Sequence, residues 1–373
     1  MKKLVSCIFF LILIMPLNTS ALDTSAKAAI LINADTGEVI YEHNADDRLP
    51  MASTTKIMTA LLLCEIGDLN KEITVTAEMV RVEGSSMGLL AGDKVTLHDL
   101  LYGMMLASGN DAANVTAYVL GGTVDGFVKL MNQKAEEIGM NNTNFVTPSG
   151  LDADEHYSTA RDMALLTRYA LQNEEFSKAV SAEKATLNYG NPPYKRTLTN
   201  HNKLLKSYEY AIGVKTGFTK KSGRCLVSAA ECDGKKVIAV TLKDPNDWDD
   251  HINMLDYGLS AIKTTEIVAD KDEYEIPVIS GDEASVKVKI EPYSVSTLDD
   301  ADFTCEVQLP KFLYAPIKEG EQIGNVVYRK NETVIDTVPL FSEIEIESET
   351  VKKDFASVWA ENVKYIFKNI WEK

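Results

Sequence analysis

The segment MASTTKIMTALLLCEI, residues 51–66, begins with polar residues and continues as an apolar run with helical spacing. Ser53 precedes Lys56 by three positions, so both side chains share one face if the helix begins near Ser53. Two interpretations are open: the serine caps the helix, or it is a nucleophile whose proton passes to a neutral lysine amine. The same spacing recurs as SAEK at 181–184, so it does not decide alone.

The sequence on both sides of this segment predicts an α+β domain. Residues 28–44 read as a hairpin around Asp35-Thr36-Gly37, and residues 223–242 as a second hairpin around Asp233-Gly234. Apolar residues recur with helical spacing in four further segments: 97–107, 111–120, 124–138 and 159–171. Strands, then a block of helices, then more strands indicate helices packed on an antiparallel sheet.

Composition limits the possible partners and cofactors. The chain has 373 residues and a net charge of −17, which argues against nucleic acid as a partner because phosphate binding needs clustered Lys and Arg. No Cys/His spacing resembles a zinc site, so we predict no metal and no cofactor. Cys225 and Cys232 lie an odd number of positions apart, which argues against a local disulfide on one strand.

The first 21 residues read as a secretory signal peptide. Lys2 and Lys3 precede an apolar stretch and the small residues Thr19-Ser20-Ala21, with cleavage predicted after Ala21. An uncleaved anchor is the alternative, but the apolar stretch is short for a membrane span. We therefore expect the mature protein to work outside the cytoplasm.

The remainder of the chain predicts an all-β domain and a terminal helix. Residues 266–350 carry 20 acidic and 7 basic residues, show strand alternation in ASVKVKIE and FSEIEIES, and lack a helical period. Residues 351–373 return to helical spacing, with lysines largely off an aromatic-rich apolar stripe. Such a cationic amphipathic helix suits the surface of a membrane, and docking on its own domain is the alternative.

Two further triplets change the interpretation of Ser53. LASGNDAAN places Ser108 and Asn110 directly after the helix predicted at 97–107. GVKTGFT places Lys215, Thr216 and Gly217 at the start of the strand that leads into the second hairpin. In this order, S-x-x-K, S-x-N and K-T-G are the motif set of penicillin-recognising serine enzymes.

The sequence resembles the D-alanyl-D-alanine carboxypeptidases among the low-molecular-weight penicillin-binding proteins. The likeness includes the opening hairpin, GSSMGLLAGDKVTLHDLLYGMMLASGNDAAN, GMNNTNFVTPSGLDADEHYSTARDMALL and IGVKTGFTKKSGRCLVSAA, and it covers essentially the whole mature chain. It implies a transpeptidase/β-lactamase-like domain at 22–265, a small all-β domain at 266–350 and a membrane-surface helix at 351–373. The implied substrate is the peptidoglycan stem peptide, and the implied covalent inhibitors are β-lactam antibiotics.

The resemblance also implies residue roles. Ser53 is the nucleophile, Lys56 its general base and Ser108 a proton relay toward the leaving D-alanine. Asn110 would bond Lys56 or the substrate amide. The substrate-binding set is Lys215 and Thr216 for the terminal carboxylate, with Gly217 allowing close approach. The backbone N–H groups of Ser53 and Phe218 would form the oxyanion hole.

One departure from the family pattern leaves a role unassigned. The stretch KDPNDWDDH at 243–251 holds no arginine that could add a second contact to the substrate carboxylate. The sequence does not place Arg224 in that role.

Three other interpretations compete. GSSMG at 84–88 matches a hydrolase nucleophile elbow, but turn residues follow it where a helix is required. A β-lactamase could use Glu137 in EIGMN, although an all-β domain and terminal helix have no place in a soluble β-lactamase. A non-catalytic cell-wall scaffold is the third, against which the intact motif residues argue.

Overall fold

The structure is a computed structural model that describes residues 22–298 and 302–348, together with residues 359, 360, 363 and 364. The predicted signal peptide and nearly all of the predicted terminal helix lie outside the described residues. Contacts within the chain define two compact units that divide between Ile262 and Lys263. Each unit is described by itself.

The first unit contains a large antiparallel sheet. The described strands of this unit, divided between that sheet and a smaller one, are β1 Ala28–Asn33, β2 Val39–His43, β3 Glu72–Thr74, β4 Lys94–Thr96, β5 Lys184–Gly190, β6 Pro193–Thr199, β7 Ala211–Thr219, β8 Gly223–Cys232 and β9 Lys235–Leu242. The large sheet has the order β2-β1-β9-β8-β7, which places β7 at an edge. A smaller sheet has the order β3-β4-β5-β6.

Helices surround the large sheet. They are α1 Lys56–Ile66, α2 Leu97–Met105, α3 Asn110–Gly121, α4 Val124–Ile138, α5 Ala160–Ala170, α6 Glu174–Ser181, α7 Leu204–Ser207 and α8 Asp247–Ala261, with a 3-10 turn at Ala52–Thr55 before α1. Polar caps begin several of them: Thr96 and Asp99 form a capping box on α2, and Thr159 accepts from Asp162 N–H on α5.

The strand β1, second from one edge of the large sheet, explains why helices lie on both faces of the sheet. All six of its residues are buried. Ile30 and Ile32 belong to the core that includes the apolar faces of α1 and α2. Leu31 points the other way, toward α8, where it lies beside Gly258. A strand buried on both faces needs an apolar run without alternation, which AAILIN supplies.

Most predicted elements agree with the structure. The helix predicted at 124–138 is α4 with the same bounds, and the hairpin at Asp233-Gly234 joins β8 to β9. The predicted position of the K-T-G triplet, at the start of the strand that leads into this hairpin, is wrong. Lys215–Gly217 lies within β7, a separate edge strand that turns at residues 220–222 into β8, and not at the start of the hairpin strand.

The second unit is all-β over residues 263–298 and 302–348, and its other described residues, 359, 360, 363 and 364, are helical. Its strands are β10 Lys263–Ile267, β11 Glu273–Ile279, β12 Ser285–Lys289, β13 Tyr293–Thr297, β14 Phe303–Gln308, β15 Leu313–Tyr314, β16 Gln322–Lys330 and β17 Thr333–Phe341. The alternation in ASVKVKIE forms β12, whose Val286 and Val288 are buried.

The alternation in FSEIEIES does not form a regular strand. β17 ends at Phe341, and the Ser342 hydroxyl then bonds both the carbonyl and the N–H of Ile344 in a turn. Ile346 is buried and makes only an isolated bridge to Ile317. A local side-chain turn therefore replaces the ladder that the pattern predicted.

Candidate active site

Ser53 and Lys56 lie at the junction of the 3-10 turn and α1. The Lys56 side chain is buried, and its Nζ is 3.0 Å from Ser53 Oγ. The cap of the 3-10 turn is Met51 and that of α1 is Thr55, and neither position makes a side-chain capping bond. Capping therefore does not account for Ser53.

Lys56 makes two shorter hydrogen bonds in addition. Its Nζ donates to Asn110 Oδ1 and to the Ser149 carbonyl, each at 2.7 Å. Asn110, the first residue of α3, donates its own amide Nδ2 to the Glu83 carbonyl at 2.7 Å. That bond fixes the amide orientation and presents Oδ1 to Lys56.

Burial lowers the pKa of Lys56 well below its usual value, and the nearby positive charge of Lys215 lowers it further. Asp111 acts in the opposite direction. A neutral amine has two hydrogens, which the bonds to Asn110 and Ser149 take up. Its lone pair is then left for the hydroxyl proton of Ser53, which is the requirement for a general base.

A loop held by a buried histidine supplies the Ser149 carbonyl. Val146 N–H donates to His156 Nδ1 at 2.9 Å, so the ring proton resides on Nε2, which lies 3.0 Å from Thr55 Oγ1. Burial lowers the pKa of His156 to about 4. The neutral ring thus ties the loop to the residue that precedes Lys56.

A second loop is held by Asp111. Its carboxylate accepts from the Ser86 hydroxyl at 2.6 Å and from the backbone N–H groups of Met87, Gly88 and Leu89. This loop contains GSSMG, which leads into neither a helix nor a strand. The hydrolase-elbow interpretation is therefore excluded by the local structure.

The edge strand β7 carries the K-T-G residues beside Ser53. Lys215 is buried, its Nζ donates to the Thr216 carbonyl at 3.1 Å, and burial lowers its pKa to about 7. A Cβ at Gly217 would lie 3.0 Å from both the Met51 carbonyl and the Ser53 N–H. Glycine therefore lets β7 approach the turn that holds the nucleophile.

Ser108 has an unusual backbone conformation. Its φ is +56°, in the left-handed region that non-glycine residues rarely occupy, and the residue is buried. The turn between α2 and α3 imposes this conformation and directs the residue to the cleft. Such conformations concentrate at functional sites.

A cleft of about 310 Å³ brings the predicted residues together. Five of them line it: Ser53, Ser108, Thr216, Gly217 and Phe218. Lys56 and Asn110 lie directly behind Ser53 through the hydrogen bonds above. Phe218 is 66% exposed, so its ring stands at the rim.

The cleft also contains residues that sequence reasoning did not assign: Ser85, His201, Lys203, Arg224, Asp247 and Trp248. For one of them, Arg224, the sequence contains a signal that could have placed it in the cleft. Thr219 pairs with Gly223 across the short turn after β7, so Arg224 lies opposite Phe218. Because KKSG reads as a short turn, the residues that face each other across it can be counted from the sequence. Asp247 and Trp248 lie in the first turn of α8, and no local sequence pattern indicates that this helix contacts the cleft.

Glu137 does not take part in the cleft. It lies in the last turn of α4 and pairs with Lys134 at 2.9 Å on the surface. The glutamate-activated β-lactamase interpretation therefore has no support from this residue. In the described part of the chain, no group of three or more His, Cys, Asp or Glu side chains is arranged to hold a metal ion.

Two family models match the chain. The model described as D-alanyl-D-alanine carboxypeptidase matches residues 15–246, and the model described as penicillin-binding protein 5, C-terminal domain, matches residues 263–348. The first match falls within the first compact unit and the second match within the second.

Characterised relatives are similar over most of their length. D-alanyl-D-alanine carboxypeptidase DacF of Bacillus subtilis is 34% identical over 86% of this chain and 86% of its own. D-alanyl-D-alanine carboxypeptidase DacC of Escherichia coli is 32% identical over 90% of this chain and 86% of its own.

Solved structures agree with these matches. The D-alanyl-D-alanine carboxypeptidase DacD from Francisella tularensis has a TM-score of 0.62 at 28% identity, covering 87% of this chain and 94% of that one. The Streptomyces K15 DD-transpeptidase has a TM-score of 0.61 at 34% identity, covering 64% of this chain and 98% of that one. This chain belongs to the D-alanyl-D-alanine carboxypeptidase family of serine peptidases.

Proposed function

We propose that this protein is a serine-type D-Ala-D-Ala carboxypeptidase that removes the terminal D-alanine from peptidoglycan stem pentapeptides. The observation that carries the proposal is the position of Lys56 Nζ, 3.0 Å from Ser53 Oγ and bonded to Asn110 and Ser149. Membership of the family supports the same reaction.

Acylation begins with Ser53. Its Oγ attacks the carbonyl between the two D-alanines while its proton passes to the neutral Lys56 amine. The backbone N–H groups of Ser53 and Phe218 would stabilise the oxyanion, and the close approach of β7 at Gly217 supports this pairing. The product of this step is an acyl-enzyme ester on Ser53.

The leaving D-alanine departs on the side of Ser108 and β7. We assign Ser108 the transfer of a proton from Lys56 to the leaving nitrogen, and Lys215 and Thr216 the binding of the terminal carboxylate. Lys215 fits this role because its charge is poorly compensated inside the protein and gains a partner when the carboxylate binds. Water then hydrolyses the ester and releases the shortened peptide.

β-Lactam antibiotics are the inhibitors expected from this chemistry. Attack of Ser53 on a strained lactam carbonyl gives an acyl-enzyme whose leaving nitrogen remains attached, so hydrolysis is slow. The family connection to penicillin-binding protein 5 supports this assignment.

Release of D-alanine from a synthetic stem pentapeptide tests the reaction. The wild-type protein is expected to release one equivalent of D-alanine and to carry one penicilloyl adduct on Ser53 by mass spectrometry. A folded protein that forms no adduct and releases no D-alanine would leave only the scaffold interpretation. Rapid loss of the adduct with penicillin turnover would support a β-lactamase.

We also propose a place in the cell for the enzyme. The sequence of residues 1–21 supports export, and the cationic amphipathic pattern of residues 351–373 supports peripheral attachment to the outer face of the membrane. No helix in the described ranges is long and apolar enough to cross a bilayer. Deleting residues 351–373 should move the protein from the membrane to the soluble fraction while it still cleaves soluble peptides. Membrane association after the deletion would contradict this assignment.

The proposed domain organisation follows the same segments: a signal peptide at 1–21, the peptidase domain at 22–265, the all-β domain at 266–350 and the terminal helix at 351–373. The matches of separate family models on either side of residues 246 and 263 support a boundary in this region.

A further inference from the structure

A fixed arginine lines the cleft in addition to the motif residues. Arg224 is the second residue of β8 and lines the same cleft as Ser53 and Thr216. Its Nε donates to Asp247 Oδ1 at 2.9 Å, and its Nη2 lies 2.7 Å from the same oxygen. Its guanidinium carbon lies 5.6 Å from the centre of the Trp248 ring. The partners on Nε and Nη2 leave Nη1 to donate into the cleft.

The surroundings place this guanidinium on the side of the leaving group. Trp248 also contacts Lys203, whose Nζ lies 5.8 Å from the ring centre. Lys203 comes from the same loop as His201, whose backbone N–H bonds the Leu106 carbonyl just before Ser108. Arg224 therefore belongs to the wall of the cleft that continues from Ser108.

The direction of the substrate follows from β7. Phe218 N–H is assigned to the oxyanion and Thr216, two residues earlier, to the terminal carboxylate. The leaving residue accordingly lies between Ser53 and Thr216, in the cleft that Arg224 also lines. An arginine is suited to this position because its planar donors match a carboxylate, and because Asp247 keeps the side chain in one orientation before substrate binds.

We propose that Arg224 is the second contact to the terminal carboxylate of the substrate and that Asp247 positions Arg224. This inference rests on the proposed function. This assignment accounts for the stretch 243–251, which contains no arginine. In this chain that stretch supplies instead the aspartate and the tryptophan that fix an arginine from the neighbouring strand.

The test compares two thioester substrates in the full-length protein: an N-acyl-D-alanyl thioester with a free carboxylate on its leaving group, and the methyl ester of that carboxylate. The thioester bond is reactive enough to be cleaved without carboxylate binding. The carboxylate preference is the ratio of kcat/KM for the two substrates. Arg224→Ala is expected to lower this preference roughly ten- to a hundredfold, the usual loss for a charged hydrogen bond, and to leave cleavage of the methyl ester nearly unchanged.

Three further variants sharpen the result. Lys220→Ala is the matched control, because Lys220 is an exposed cation in the turn between β7 and β8 that does not line the cleft, and it should change the preference by less than about threefold. Arg224→Lys should retain part of the preference, since the charge remains without the planar fork. Asp247→Asn should lower the preference by an intermediate amount, whereas a loss of thermal stability alone would assign it a purely structural role.

The two proposals fail in different ways. If the wild-type protein releases no D-alanine from the pentapeptide, the proposed function is wrong. If it does so, and folded Arg224→Ala keeps the wild-type preference, the role of Arg224 is wrong while the reaction stands. A loss in Lys220→Ala equal to that in Arg224→Ala would also overturn the inference, because general positive charge would then explain the binding.

Discussion

Ser53 illustrates how a single side chain is assigned by its partners. Its spacing to Lys56 fits either a cap or a nucleophile, and only the hydrogen bonds separate the two. The lysine amine is buried and bonded to Ser53, and the serine side chain makes no helix-capping bond. The residue is thus positioned for chemistry at the start of a helix whose dipole favours developing negative charge.

Replacing Ser53 by alanine should therefore affect reactivity and leave stability largely intact. We expect Ser53→Ala to lose the penicilloyl adduct and D-alanine release completely. The free energy of unfolding should change by less than about 1 kcal/mol, because the cost of losing a helix cap does not apply. Thermal melting and intact mass after penicillin treatment check the two parts. A clear drop in melting temperature would indicate that the serine stabilises the helix after all.

The low pKa of Lys215, about 7 in the free enzyme, predicts a decline of activity in alkaline solution. The amine must be protonated to bind a carboxylate, and it loses its proton as the pH rises through its own pKa. We expect kcat/KM for the carboxylate thioester to fall above about pH 7. The methyl ester provides the control, and its kcat/KM should not show this decline above about pH 7. An equal decline for both substrates would contradict the assignment.

At the scale of elements, the approach of β7 to the turn at 51–53 depends on Gly217. A Cβ at this position would come within 3.0–3.1 Å of Met51 O, Ser53 N and Ala52 Cβ. These are backbone atoms and a methyl group on backbone, so relief requires displacement of the strand. The distance between the two proposed oxyanion donors would then increase.

We predict that Gly217→Ala slows acylation by penicillin at least about tenfold, which is in the range for a misplaced oxyanion donor. The measurement is the second-order rate of adduct formation by mass spectrometry. Thr186→Ala, on the exposed face of β5, serves as the control for substitution in a strand. Wild-type acylation by the Gly217 variant would show that the close approach is unnecessary.

Much of this element-level organisation could be predicted from the sequence. The bounds of α4, the cap at Thr159 and the Asp233-Gly234 hairpin depend on local patterns that the structure retains. The sequence did not separate the edge strand β7 from β8, because the turn at 220–222 carries the polar residues KKS, which also suit a loop. Asp247 and Ser149 were missed because their roles come from tertiary contacts and not from spacing, whereas Arg224 could have been placed opposite Phe218 by counting across that turn.

At the scale of the whole molecule, the residues of the proposed site all belong to the first compact unit. Both loops that orient Lys56, together with α1, α3 and β7, lie before Ile262. The second unit has its own core, formed around side chains such as Val286, Val326 and Ile346. Two separate cores indicate that each unit can fold without the other.

We expect residues 22–262 expressed alone to fold and to form the penicilloyl adduct at a rate close to that of the full chain. The same preparation with Ser53→Ala is the negative control. Cooperative thermal unfolding measures folding, and intact mass measures acylation. A well-folded first unit that does not react would show that the all-β unit contributes to the chemistry.

The central claim is that a neutral Lys56 activates Ser53, and the rate of Ser53 acylation by penicillin as a function of pH tests it most directly. For the wild-type protein we predict a rate that first rises with pH, with a midpoint well below the ordinary lysine pKa of 10.5, since burial and Lys215 lower the pKa of Lys56. The rate should then decline as Lys215 loses the proton with which it binds the carboxylate of penicillin. Lys56→Met, which fills similar buried space without an amine, should abolish the reaction. Undiminished acylation in the folded Lys56→Met variant, or a wild-type midpoint near 10.5, would contradict the claim.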